Sequence, residues 1–296
     1  MKIPKGGVAI FDSGIGGMTV LDVCRKRLPN TLFYYYGDNR HAPYGNLSPK
    51  EIYRRTDRAF RLFRRLKVRA AVIACNTATA VCVERLRKKY SFPIIGADPA
   101  VCAAAKKGGR IFVLSTRATY ESLRFKALCK AAGSKYPQAT IKAYPCDDLA
   151  GEIEHRLPNT EYDFTKHLPN GKPDAVVLGC THYIYIKKAV ERFYGCEAVD
   201  GNEGIASRLT FVLKSTKNVG ARTRPNFFRD WRPCLTTFVK KKQNSNAHVS
   251  QKGQNPPKNS VNFNIFFLGR CKKANKIQYE QMFACNHGRK FGESGG

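Results

Sequence analysis

The sequence lacks an uninterrupted apolar run near the roughly 20 residues a membrane helix needs, so no spanning helix and no membrane partner are expected. It also lacks a signal-peptide pattern: Met-Lys-Ile-Pro-Lys-Gly-Gly leads straight into the first strand candidate. The two absences together predict a cytoplasmic protein. Cys-x-x-Cys pairs are missing as well, although the chain carries 11 cysteines. An odd number of scattered cysteines without a secretion signal speaks against a disulfide framework and against zinc sites. Most should be reduced and buried as small hydrophobes. Acidic residues are scarce: 22 Asp/Glu stand against 52 Lys/Arg, a formal net charge of +30. Such a surplus attracts polyanions and acidic small molecules, but solubility explains it as well as a partner does.

What is present is a hydrophobic content of 43% over 296 residues, enough for two domains of roughly 100–150 residues. Up to Lys214 the chain alternates strands and helices. Strands are expected at 7–12 (GVAIFD), 31–38, 70–74 (AAVIA), 93–95, 111–115 (IFVLS), 140–144, 175–179 (AVVLG) and 196–200. Ser48-Pro49-Lys50-Glu51 reads as a capping box with proline at the first helical position. Ile52, Thr56, Phe60, Phe63 and Leu66 follow at helical spacing. Apolar strands separated by amphipathic helices predict an α/β protein with mostly parallel sheets covered on both faces. After Lys214 the texture changes. Residues 240–262 are polar and basic, 263–269 (FNIFFLG) look like one more strand, and 272–284 look like a helix.

A repeat organises the first 214 residues. AAVIACNTA (70–78) has a counterpart in DAVVLGCTHY (174–183), and AIFDSG (9–14) in FVLSTR (112–117). Cys75 and Cys180 lie 105 residues apart, each at the carboxyl end of an apolar strand and before a helix. Two related halves would set these cysteines on opposite walls of one cleft, where open parallel sheets bind ligands. Such a cleft suits a nearly symmetric reaction: one thiolate removes a proton from a carbon and the opposite thiol supplies one to its other face. An ordinary thiol pKa of about 8.5 is near enough to neutral for either role. Ser13, Asn76, Thr77 and Thr181 offer neutral hydrogen bonds to a small zwitterion. Asp12 suits an ammonium group or proton transfer near Cys75, and His182 stands beside Cys180. Other features point less clearly. Gly14-Ile-Gly-Gly17 reads as a tight turn rather than a phosphate loop, since it lacks the Lys-Ser/Thr of a P-loop. Cys146 has no assigned role, and Cys285 with His287 is too few ligands for a metal site.

At these residues the sequence resembles the glutamate racemase family. The matching stretches are IFDSGIGGMTVL (10–21), YYGDNRHAPYG (35–45), VIACNTATA (72–80), PIIGADPA (93–100), VVLGCTHY (176–183) and VDGNEGIA (199–206). The resemblance implies two pseudo-symmetric α/β domains with the active site between them. The first would comprise 1–98 plus 205–296, including a basic low-complexity segment near 215–262, and the second 99–204. It implies cofactor-independent interconversion of L- and D-glutamate for cell-wall peptidoglycan, with Cys75 and Cys180 as catalytic acid/bases and no metal. Asp12, His182 and an assisting carboxylate, for which Glu152 is the candidate, would complete the catalytic set. Substrate contacts would come from Asp12, Ser13, Tyr44, Gly45, Asn76, Thr77, Thr116, Thr119, Thr181 and His182. A homodimer is compatible with it. The alternatives are a racemase of a related amino acid such as aspartate, and a nucleic-acid-binding protein that uses the basic tail.

Overall fold

The structure is a computed structural model and describes residues 4–157, 162–217 and 265–268. Two parallel sheets make its frame. The first contains β1 (Val8–Asp12), β2 (Phe33–Gly37), β3 (Ala70–Ile73), β4 (Ile94–Gly96) and the late strand β9 (Ile265–Leu268). The second contains β5 (Gly109–Ser115), β6 (Ala139–Pro145), β7 (Ala175–Leu178) and β8 (Glu197–Val199). The helices are α1 (Gly17–Arg27), α2 (Pro49–Arg65), α3 (Asn76–Lys89), α4 (Val101–Ala105), α5 (Arg117–Glu121), α6 (Leu123–Lys135), α7 (Leu149–Arg156), α8 (Lys187–Tyr194) and α9 (Asn202–Lys217).

Strand order is β4-β3-β1-β2-β9 in one sheet and β8-β7-β5-β6 in the other. The first four strands of each sheet therefore repeat one topology, as the paired motifs led us to expect. Every strand pairing among the described residues is parallel. Each strand alternates its side chains between two cores, as the two-residue pleat demands. Val8 and Ile10 pack with Leu21 of α1 and Leu209 of α9, whereas Ala9 and Phe11 pack with Phe60 of α2 and Leu86 of α3. In the second sheet Phe112 and Leu114 join Ile153 of α7 and Val190 of α8, while Ile111 and Val113 join Ala104 of α4 and Leu128 of α6. Burial on both faces explains why these strands read as continuous apolar runs.

Local signals match the elements. Ser48 caps α2 by accepting from the Glu51 N–H at 3.3 Å. Glu51 turns its own carboxylate to Arg54 and Arg55 rather than back to the cap, so the Ser48–Glu51 box is half formed. α9 runs to Lys217, past the change in composition at Lys214, because Ile205, Leu209 and Leu213 still bury one face. β9 lies beside β2, with Phe266 against Tyr34 and Phe267 against Tyr35. Most of the basic stretch, the expected helix at 272–284, and Cys285 and His287 lie outside the described residues.

Candidate active site

The carboxyl ends of β1, β3, β5 and β7 converge where the halves meet. The first wall is built from β1 and β3. β1 ends on Asp12, with Ser13 next, and both are buried. β3 runs into Cys75, which is the N-cap of α3: its Sγ accepts from the Ala78 N–H at 3.4 Å. A helix N-terminus is where negative charge is best tolerated, so a thiolate here meets the dipole of α3. Burial nevertheless pushes the Cys75 thiol up to about 12, and the neighbouring Asp12 pushes the same way. Hydrogen bonds from Ser13 and Ala78 oppose that shift. Cys180 is also near enough for its charge to bear on Cys75. Asp12 itself is raised to about 6, chiefly by burial, with His182 pulling down and Glu154 pushing up.

The second wall follows β7. Cys180 Sγ lies 3.6 Å from His182 Nδ1, and His182 Nε2 lies 2.5 Å from Glu154 Oε2. Burial disfavours the imidazolium, but its bonds to Cys180 and Glu154 outweigh this and hold His182 well above its ordinary pKa. An imidazolium so placed donates to a carboxylate on one side and can donate to sulfur on the other. Thr181 Oγ1 donates across to Asp12 Oδ2 at 3.3 Å.

More contacts close the halves on each other. The Ile15 N–H donates to Glu154 Oε2 at 3.1 Å, and Tyr185 donates to the Ile15 carbonyl at 2.8 Å. The glycine turn makes this approach geometrically feasible. A Cβ on Gly14 would collide with the Glu154 carboxylate, and one on Gly16 with Thr181 Oγ1. Further along, the Thr77 hydroxyl sits 2.9 Å from that of Thr116 and 3.3 Å from that of Thr119. Thr116 also caps α5. Tyr44 is buried and donates to Asp38 Oδ2 at 2.8 Å, and Gly45 rests against Thr116. A cavity of about 10 Å³ between the halves is lined by Asn76, Asp98, Cys180, Thr181 and Asn202 among others. That is room for about one water.

The structure thus brings together Asp12, Ser13, Cys75, Asn76, Thr77, Thr116, Thr119, Cys180, Thr181 and His182, with Tyr44 and Gly45 at the margin. It does not bring in Glu152. That side chain pairs with Arg156 one turn along α7, while Glu154, two residues on and so nearly opposite around the helix, points to His182. The carboxylate that joins the cluster is therefore Glu154, whereas Glu152, the residue expected there, faces Arg156. Tyr185 and Tyr35, whose hydroxyl donates to the Gly14 carbonyl at 2.7 Å, also went unread. No group of three or more His, Cys, Asp or Glu able to hold a metal occurs among the described residues.

Two repeated α/β halves with a thiol on each wall of a shared cleft define a class of protein. The pattern of the Asp/Glu/hydantoin racemase family matches residues 19–209, and the chain belongs to that family. A glutamate racemase of Clostridium botulinum (strain Okra / Type B1) is 34% identical over 235 residues, 76% of this chain and 90% of that protein. One from Bifidobacterium adolescentis is 34% identical over 221 residues, 70% of this chain and 84% of its own. Among solved structures, a glutamate racemase isoform from Bacillus anthracis aligns with TM-score 0.63 at 28% identity, covering 71% of this chain and 82% of that one. The Escherichia coli glutamate racemase in complex with L-glutamate and an activator aligns with TM-score 0.63 at 29% identity, covering 71% and 83%.

Proposed function

We propose that the chain interconverts L- and D-glutamate without a cofactor and so supplies D-glutamate for peptidoglycan. Supporting this reading is the pair Cys75 and Cys180, at equivalent strand ends of the two halves and coupled electrostatically across the cleft. One thiolate takes the α-proton from one face of the substrate, leaving a planar carbanion. The opposite thiol gives its proton to the other face, and the reverse direction exchanges the roles. Cys75 holds its proton firmly in the absence of substrate. Cys180 faces an imidazolium that can meet its negative charge. Asp12 is ionised at neutral pH and suits the substrate ammonium. The threonine hydroxyls and the N–H groups at the starts of α3 and α5 suit its carboxylates.

The domain division follows the same reading: 1–98 plus 205–296 form the first domain and 99–204 the second. No described helix is long and apolar enough to cross a membrane, and we place the protein in the cytoplasm. The charge of +30 supports only a secondary, non-specific contact with nucleic acid, which should weaken steeply with salt. The direct test is purified protein with L-glutamate in heavy water and no added cofactor, followed by chiral analysis and α-deuterium content. The expected product is D-glutamate labelled at the α-carbon. Inert glutamate with racemised aspartate would move the assignment to the related substrate. Neither reacting would overturn it.

A further inference from the structure

Beside the cleft lies a charged cluster that takes no part in the proton transfer. There, Arg124 at the start of α6 places its guanidinium fork on Asp98, Nε to Oδ1 at 2.7 Å and Nη2 to Oδ2 at 2.8 Å. Its remaining nitrogen, Nη1, donates to Glu84 Oε1 at 3.0 Å. Glu84 also accepts from Arg87 at 2.9 Å, and Arg87 donates in turn to the Ile94 carbonyl from Nε and Nη2. Asp98 lies on the segment that leaves β4 for the second half, and Glu84 and Arg87 lie on α3 of the first. Arg124 is thus a cross-half contact that ties α6 to both α3 and the crossing segment.

The clamp shares α3 with the inner hydroxyl cluster, and its other helix, α6, follows directly on α5. Thr77 and Glu84 are seven residues apart on α3, two helical turns or roughly 10 Å. Thr116 and Thr119 belong to α5, and only Ser122 separates α5 from α6 and Arg124. α3 therefore meets the α5–α6 pair twice, through α5 at Thr77–Thr116–Thr119 and through α6 at Glu84–Arg124, where Arg124 also holds Asp98. Bidentate guanidinium–carboxylate pairing fixes direction as well as distance. The Arg124 and Asp98 side chains are only 15% and 19% exposed, so solvent screens the contact little.

We propose that Arg124 is a positioning residue: through Asp98 and Glu84 it sets the separation of α3 from α5, and with it the fit of the Cys75 wall and the threonine hydroxyls around the substrate carboxylates. The inference rests on the glutamate reading above for its kinetic arm. Small displacements of binding groups are costly in such sites. In Arg124→Ala the KM for glutamate should rise about tenfold, by more than kcat falls. Arg124→Lys keeps the charge but loses the fork, and should recover only part. Millimolar guanidinium should restore Arg124→Ala towards the parent.

Amide hydrogen exchange supplies a readout that needs no activity. Residues 76–82 and 117–124 should lose protection in Arg124→Ala while β1 keeps its own. Unchanged kinetics and exchange in Arg124→Ala would overturn the proposal. So would a loss that guanidinium does not restore and that comes with faster exchange throughout both sheets, because that is plain unfolding. If the parent protein leaves glutamate untouched, the substrate reading fails, and the exchange experiment still decides the clamp.

Discussion

At the residue scale the site opposes two demands. Asp12 is buried and its carboxyl is raised to about 6 from an ordinary 3.8. A carboxyl raised on folding stabilises the fold below its unfolded pKa, and that stability is lost as pH climbs through the folded value. Asp12 should therefore cost the fold on the order of 2–3 kcal/mol at neutral pH. Asp12→Asn is expected to raise stability at pH 7 by up to that amount, with little change at pH 4, while racemisation falls steeply. Denaturant melts at the two pH values, set beside a rate assay, check both halves of the statement. The thiols give a second test. Cys75→Ser and Cys180→Ser should each abolish racemisation, and each should leave α-proton washout from one enantiomer alone; a serine variant that racemises like the parent would remove the two-thiol model. For the carboxylates, Glu154→Gln should depress kcat and shift its pH profile, and Glu152→Gln should do neither. The cysteines, Asp12 and His182 were legible because a duplicated strand-end motif carries them. Choosing between Glu152 and Glu154 needs the phase of α7, which a short helix hardly betrays. Glu152 stands four residues before Arg156, the spacing of a surface ion pair, and that much is readable in the sequence; that Glu154 lies one turn after the buried Ala150 is visible only in the fold.

At the element scale the turn between β1 and α1 works as a recess. Its glycines were read as a tight turn, and what they add became visible only when the second half was in place. Gly16→Ala should reduce kcat/KM by roughly 10–100-fold, because the wall carrying Thr181 must shift. The melting temperature should change much less, and the two measurements together separate misfit from unfolding. The exposed N-terminal cap of α2 offers the opposite case. Ser48→Ala should lower stability by about 1 kcal/mol through the lost cap and leave kinetics alone. The central strands β1, β3 and β7 were easy to place because burial on both faces leaves them almost uniformly apolar. Tyr44 and Gly45 could not be placed that way, since their loop has no periodicity and they are held by Asp38 and by Thr116 from the other half respectively.

At the scale of the whole molecule, the two sheets share a topology but differ at one edge. β9 extends the first sheet beside β2 and stacks its phenylalanines on Tyr34 and Tyr35. Removing residues 263–296 should expose the β2 edge and lower hydrogen-exchange protection in β1 and β2, while β5 and β7 keep theirs. The pairing has a further consequence for how the chain comes into being. On a ribosome the first half emerges first, yet its sheet cannot take its final edge until a strand more than two hundred residues downstream has been made. The half encoded between them can complete its own sheet in the meantime. The order of synthesis and the order of completion are therefore reversed, and a nascent chain stalled before residue 265 would carry a finished second wall beside an unfinished first.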